Sequence, residues 1–472
     1  MIESARGIIP GMPDTVNTAE IEIAVADRTA GRCDVLVVGG GPAGATIATL
    51  LAREGRRVVL LEKDRHPRFH IGESLLPGNV ELFEQLGIKD EIARIGMPKY
   101  GIEFVRPDLD YRSCVEFADG WNPAVDMAWH VRRSEFDQVL FRHAASAGAI
   151  VFEGAKAKDI AFDGDGATVR VSHDDGTART WRTRFVVDAS GRDTVLANQF
   201  RCKEKNRKHN STAIFGHFRG ARRLPGKREG HVSICWFEHG WFWFIPLADG
   251  STSVGAVCWA YYLKRRDKPL TEFFYDTLAL CPELHDRLRG ATLIDDRIHA
   301  TGNFSYTSSR ATGDRFLMIG DAFTFIDPMF SSGVFLAMQG AFSGAKLVAT
   351  ALDAPAAYPA ARAAFERELR AGPRDYSWFV YRVTNPTIRD MFMHPKNIFH
   401  VKQGLVSLLA ADLGHGARLR TSLFMFKVVY YLVSLMHPVR TWRGFRRRRL
   451  NIRDYGMLRG ETIQPADGGS GG

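Results

Sequence analysis

Three short stretches of the 472-residue chain carry residue types that could do chemistry. Residues 39–44 read Gly-Gly-Gly-Pro-Ala-Gly and follow the apolar run Val35–Val38. Gly39, Gly41 and Gly44 have G-x-G-x-x-G spacing. The first lets the chain turn sharply, the second lets the backbone approach a pyrophosphate, and the third lets a helix pack close to a strand. The helix entered through Pro42 and Ala43 would offer free N–H groups and a positive dipole end to phosphates. A second apolar run, Arg57–Leu61, ends at Glu62, with Lys63 beside it. That acid lies about 20 residues past the glycines, where a carboxylate accepts hydrogen bonds from a ribose. Strand, glycine turn, helix and acid together predict a bound dinucleotide. The second stretch is Trp241-Phe242-Trp243-Phe244-Ile245-Pro246. Alternation puts Trp241 and Trp243 on one strand face. The third is Phe325–Gly333, where a Pro and a Gly suit a tight loop opening a helix near Val334. Successive N–H groups at such a start form an anion nest.

The elements that must hold these residues follow a readable order. Residues 33–115 and 125–200 carry a parallel-strand pattern with helices between. Phe185–Gly191 and Arg315–Ala322 read as further strands, the second with Asp321 at its end, and strand ends are where ligands bind in open α/β sheets. Residues 205–310 change character. Val232–Phe237, Trp241–Leu247 and Thr252–Trp259 are aromatic and β-branched, separated by turn signals, as in an antiparallel sheet. Residues 312–350 return to the nucleotide-binding pattern. Residues 356–457 read as helices, broken at Gly372-Pro373, Asn385-Pro386 and His437-Pro438. The expected organisation is a flexible leader 1–30, a discontinuous nucleotide domain 31–204 and 311–352, an antiparallel sheet region 205–310, a helical region 353–457 and a disordered tail 458–472.

Composition narrows the class. Hydrophobic residues make up 45% and charged residues 25%, as in ordinary globular proteins. No run of about 18 uncharged apolar residues is present, so no transmembrane helix is expected. No basic-then-apolar leader suggests secretion. Six scattered cysteines without a C-x-x-C pair point away from zinc and from a disulfide framework, and toward reduced thiols in a cytoplasm. The net charge of +10 is concentrated near the C-terminus, in Arg440, Arg443, Arg446, Arg447, Arg448, Arg449 and Arg453. That cluster lacks the run of stacking aromatics used by single-strand binders, so nucleic acid is not expected. A solvated face, or docking of an acidic carrier protein, fits it.

With these motifs the chain resembles the flavoproteins that include aromatic hydroxylases, geranylgeranyl reductases and flavin-dependent halogenases. The resemblance implies an α/β fold: a Rossmann-like FAD-binding domain, an antiparallel substrate sheet and a mostly helical C-terminal region. It also implies FAD, with Asp321 at the ribityl–phosphate region and Arg133 in contact with the cofactor, a role that Arg132 could fill instead. Trp241–Pro246 matches the halogenase W-x-W-x-I-P signature, in which the indoles near the flavin obstruct hydroxylation; Ile245 and Pro246 complete it. Phe325–Gly333 matches F-x-x-P-x-x-S-x-G. In that loop Pro328 and Gly333 border the flavin, and the N–H groups of Ser332 and Gly333 hold a halide. Lys99, in Met97–Phe104, matches the essential lysine that presents electrophilic halogen to the arene. A partly desolvated lysine suits that role.

What the resemblance implies is therefore a halogenase that takes FADH2 from a separate flavin reductase and uses O2 with chloride or bromide. One departure bears on substrate. Tryptophan halogenases place a carboxylate where this chain has Phe330, so an electron-rich phenol or pyrrole, free or carrier-bound, is expected. The segment Met391–Asn397 and the apolar run Val401–Ala411 should roof its pocket. An aromatic hydroxylase and a geranylgeranyl-reductase-like enzyme remain as alternative readings.

Overall fold

The computed structural model describes residues 31–453, apart from 108–110, 303–304, 384, 394–396 and 414–415. The expected leader 1–30, the tail 458–472 and part of the expected pocket roof (394–396) lie outside the described residues.

β1 (Arg32–Val38) runs through the glycine turn into α1 (Pro42–Arg53), and β2 (Val58–Leu61) returns parallel to it, Val35 opposite Val58. Beyond these come β3 (Met97–Lys99), β4 (Gly101–Arg106), β5 (Tyr111–Glu116), β6 (Ala128–His130), α2 (Arg133–Ser146), β7 (Ile150–Phe152) and β8 (Ala178–Asp188). Together with β13, described below, they build a parallel core in the order β13-β8-β1-β2-β7. The central stretches of its strands, such as Val35–Val38, Val58–Leu61 and Phe185–Val187, are continuous apolar runs because helices cover one face and a hairpin, Ala155–His173, packs on the other.

The second sheet contains β9 (Ser211–Arg219), β10 (Val232–Phe237), β11 (Gly240–Pro246) and β12 (Ser251–Trp259), in the order β9-β12-β11-β10-β4-β5. Here the structure differs from the expected division. β4 and β5 belong to this sheet, with β4 parallel to β10 and Ile102 opposite Val232. Every residue of β4 is buried. A strand buried on both faces looks the same in either sheet, so the run itself does not say which neighbour it joins.

β13 (Phe316–Met318) returns to the first sheet, and α3 (Gly333–Asp353) packs on α1, with Gly344 against Ile47. α4 (Tyr358–Val380) runs unbroken through Pro373, where the sequence suggested a break. An interior proline costs about 3 kcal/mol. Packing on both sides outweighs it, because Phe365, Tyr376 and Phe379 are all buried. Gly372 also lets α4 approach Leu336 of α3. α5 (Pro386–Met393), α6 (Val401–Ala410), α7 (Gly416–Met436) and α8 (Pro438–Arg453) follow. Prolines 386 and 438 each open a helix, the position a ring without N–H tolerates best.

Helices α4 to α7 close over the sheet face that carries Phe104, Trp236, Trp241 and Trp243. Phe392 meets Phe104 with ring centroids 5.2 Å apart. Burying each such ring contributes roughly 1.5–3 kcal/mol. Among the described residues two helices, α3 and α7, are long and apolar enough to cross a membrane by length and composition. Both carry a few polar or charged residues, so they escape a search for uninterrupted apolar runs. α3 is a core helix, and α7 packs through Leu419, Leu423, Phe426 and Tyr430. All six cysteines are free thiols, five of them buried and Cys114 half-buried.

Candidate functional site

A cavity of about 880 Å³ opens at the carboxyl ends of β1, β2, β8 and β13 and extends to the indoles of β11. Its wall includes Gly39, Gly41, Pro42, Ala43, Glu62, Lys63, Arg133 and Asp321 at one end, and Trp241, Trp243, Ile245, Pro328 and Gly333 at the other. The two motif sets, about two hundred positions apart in sequence, thus share one space. Gly44, Pro246, Ser332, Phe330 and Lys99 stand behind this wall.

The glycines divide their work. Gly39 has φ +101°, and a side chain there would strike the Ala189 carbonyl. A side chain on Gly44 would strike the Gly39 carbonyl, so Gly44 is a packing residue. At Gly41 an added carbon would meet only the Arg68 guanidinium, 3.6 Å away. The space beside Gly41 is therefore left to the cavity. Gly41 is also the N-cap of α1, with no side chain capping the helix, so the first N–H groups are available to an anion. This cradle fits the pyrophosphate of a dinucleotide.

A charged network, missed at the sequence level, braces this end. Glu62 accepts from the Gly40 N–H (2.9 Å) and from Arg68 (3.2 Å). Arg68 also donates to Asp137 (2.9 Å), which takes two further bonds from Arg133 (2.9 and 3.0 Å). Burial alone would raise the Asp137 carboxyl, but Arg133 and Arg68 outweigh it and hold the group below its ordinary range. Arg133 also donates to the Ile71 carbonyl (3.0 Å), while Arg132 turns away to Asp249 and Ser251. Arg133 is thus the arginine in the wall. Lys63 donates to Asp193 (2.7 Å). Loss of hydration pushes the Asp321 carboxyl up to about 6, against the pull of Arg192 and Arg133.

At the other end Trp241 and Trp243 share a face, ring centroids 6.3 Å apart. The Trp243 indole N–H donates to Ser253 (3.1 Å). Its ring lies over Gly255, the residue paired with it on β12, where any side chain would collide. A glycine inside a strand signals such close approach, and that signal was present in the sequence. Ser331 adopts φ +56°, and α3 starts at Gly333 with no side-chain cap. Asp327 is buried and accepts from His209 (2.8 Å), Ser211 (2.8 Å) and the Met329 N–H (3.2 Å). It occupies a variable position of the F-x-x-P motif, so nothing singled it out. We expect Asp327→Ala to lower unfolding free energy by about 1–3 kcal/mol, because buried donors lose their acceptor. Urea denaturation checks this.

Phe330, expected in the substrate pocket, is instead packed among Phe392 (6.1 Å) and Phe379 (6.3 Å) behind the wall. Lys99 is fully buried at the end of β3. Its ammonium donates to Ser74 Oγ (2.9 Å) and the Leu75 carbonyl (3.0 Å) and lies 5.2 Å from the Phe117 ring centre. Ser74 is part of the cavity wall, so the lysine is one side chain behind it. Loss of hydration lowers its pKa to about 7. His130, buried beside it and donating to the Gly230 carbonyl (2.8 Å), is pushed well below its ordinary range by burial and then by Lys99.

Comparisons with known proteins agree with this geometry. The FAD binding domain family matches residues 32–366. Flavin-dependent halogenase armH3 of Armillaria mellea is 37% identical over 68% of this chain and 68% of its own length. Tryptophan 2-halogenase of Chondromyces crocatus is 37% identical over 66% of this chain and 60% of its own. The 1H-pyrrole-2-carbonyl-(peptidyl-carrier protein) chlorinase of Pseudomonas fluorescens is 31% identical over 65% and 74%. Among solved structures, the myxobacterial chondrochloren halogenase CndH aligns with TM-score 0.70 and 32% identity, covering 74% of this chain and 82% of that one.

Proposed function

Because this chain belongs to the flavin-dependent halogenases, we propose that it halogenates an electron-rich phenol or pyrrole through Lys99. The observation that carries this reading is the setting of Lys99: a buried amine with a pKa near 7, bonded to a serine of the cavity that also joins the glycine turn to the paired indoles.

FAD, bound in its reduced form, supplies with oxygen the oxidising power that turns halide into hypohalous acid. The chain's own residues do the rest. The Gly39–Gly44 turn and the start of α1 hold the pyrophosphate, Glu62 the ribose, with Lys63 alongside. Arg133 and Asp321 orient the remainder of the cofactor. The N–H groups of Ser332 and Gly333, at the uncapped start of α3, hold the halide, in a loop shaped by Pro328 and Asp327. Trp241, Trp243, Ile245 and Pro246 keep the arene away from the flavin, which suppresses hydroxylation. Lys99 receives hypohalous acid in one of two ways. As an ammonium it hydrogen-bonds the oxygen. As an amine it takes the halogen and releases water. In either case the arene carbon gains the halogen and loses its proton, and the oxygen ends as water.

The resemblance implies a carboxylate at the motif position of Phe330 in tryptophan halogenases; here that position offers only a ring packed behind the wall, so the arene must bring its own electron density. We expect halogenation of phenols ortho or para to the hydroxyl, or of pyrroles α to nitrogen, free or carrier-bound, and little reaction on free tryptophan. Mass spectrometry of a substrate panel with FAD, NADH, a flavin reductase and bromide checks this. Robust tryptophan halogenation, as the name of the Chondromyces relative implies for that enzyme, overturns the assignment, and an oxygenated product without halide dependence favours a hydroxylase.

The chain carries one glycine fingerprint with one acid, and so one nucleotide site by this reading. We therefore assign it a separate flavin reductase as partner, and its free thiols fit a cytoplasmic setting. NADH alone should not bleach the bound flavin. Bleaching by NADH in a stopped-flow mixture without a partner enzyme would sink this proposal.

A further inference from the structure

The last two helices leave a face with no cover among the described residues. Around the corner between α7 and α8, Leu432, Leu435, Met436, Val439, Trp442 and Phe445 are all exposed, Leu435 and Met436 at 74% each. Exposed apolar patches of this kind mark interaction surfaces. α7 packs on the body through its opposite side, so it lies along the protein instead of standing clear of it. On α8 the apolar residues Val439, Trp442 and Phe445 share one side with Arg446 and Arg449, at three- and four-residue spacing.

The arginines between Arg440 and Arg449 fall into two groups. Arg440 pairs with Asp390 and Arg447 with Glu238, while Arg448 turns inward to the Lys208 carbonyl and the Tyr381 ring. Arg443, Arg446 and Arg449 have no acidic partner among the described residues, and Arg446 sits over the Trp442 ring (5.4 Å). Arg446 and Arg449 lie on the apolar side itself, so their long stems can run along the apolar groups while the guanidinium heads extend to lipid headgroups, with the Trp442 indole at the boundary. A second copy packed by a two-fold axis would set these arginines against one another.

We propose that the α7–α8 corner is a membrane-docking face, with the apolar side chains entering the headgroup–acyl boundary of an anionic bilayer and Arg443, Arg446 and Arg449 meeting lipid phosphates. This docking is peripheral and does not depend on which arene the enzyme halogenates.

The test is flotation of the full chain with vesicles of pure phosphatidylcholine or of phosphatidylcholine mixed with phosphatidylglycerol. We expect binding to the mixed vesicles only, weakening as salt is raised. Arg443→Glu/Arg446→Glu/Arg449→Glu should lower partitioning by at least on the order of a hundredfold, each arginine near an anionic surface being worth roughly fivefold. Leu435→Ser/Trp442→Ser should abolish it at unchanged circular dichroism and flavin absorbance, since both side chains are exposed. Three results overturn the proposal: no wild-type flotation, flotation of both variants equal to wild type, or a face that binds an acidic carrier protein or a second copy on a sizing column while ignoring vesicles.

Discussion

Lys99→Met removes halogenation and leaves flavin binding and flavin reoxidation in place. Nothing replaces the amine behind Ser74, and the loss should be on the order of 10²–10⁴-fold, the range for a positioned proton-handling group. The measurement is halogenated product against hydrogen peroxide released in the same reaction. Product at near wild-type rate would remove Lys99 from the mechanism. The proton on this amine also makes two pH predictions. In the unfolded chain the lysine titrates near 10.5, and in the folded protein near 7. Between those values the unfolded state holds a proton that the folded state lacks, so stability rises with pH across the window and is lowest below about pH 7. Lys99→Met should abolish that slope and be the more stable protein at neutral and acid pH, a case of stability given up for function. Wild-type turnover should change through pH 7. A rise marks the free amine as the halogen acceptor, and a fall marks the ammonium as the hydrogen-bond donor.

Gly44→Val yields protein without FAD. The new side chain would fall on the Gly39 carbonyl, which is backbone of the same tight turn and cannot move aside. The turn, the start of α1 and its seat on β1 are lost together. Flavin absorbance after purification in excess FAD reads the outcome. Gly41→Ala is the informative companion. Its methyl group meets only the mobile end of Arg68 within the protein, so the fold should survive. The methyl instead intrudes on the pyrophosphate, and FAD affinity should fall about tenfold or more, as overpacking by one methylene costs roughly 1–3 kcal/mol. Wild-type FAD affinity in Gly41→Ala would place the pyrophosphate elsewhere.

The parts of this molecule that were legible in sequence are those whose signal is local. The glycine turn, β1 and β2 announce themselves because residue type and spacing are tied to backbone shape within a few positions. Trp241 and Trp243 share a face because strands alternate. What sequence could not give is pairing at a distance. β4 is buried on both faces, with Glu103 and Arg106 among its buried residues, and its local pattern gave no sign that it lies beside Val232 instead of the nucleotide sheet. The proline of α4 read as a break because the packing of Phe365, Tyr376 and Phe379 that overrides it comes from other elements. Asp327 and the Glu62–Arg68–Asp137–Arg133 network depend on partners from several segments; Glu62 and Arg133 stood out singly, but Arg68, Asp137 and Asp327, which tie the segments together, looked ordinary. Phe330 was assigned by motif position, which says where a residue sits along the loop but not which way its ring turns.

The free cysteines bear on the durability of the enzyme under the proposed chemistry, in which turnover generates hypohalous acid. Burial pushes the Cys33 and Cys258 thiols up to about 12, and Cys114, half-buried, is raised for the same reason. The thiolate is the form that reacts, so at neutral pH these groups are poor targets even when oxidant escapes the cavity. Damage then falls first on exposed thioethers such as Met436, whose sulfoxide is reversible by cellular reductases. Self-inactivation during turnover would begin with surface sulfoxidation; Cys281, whose thiol is lowered by its hydrogen bond with Cys235, is protected by burial alone.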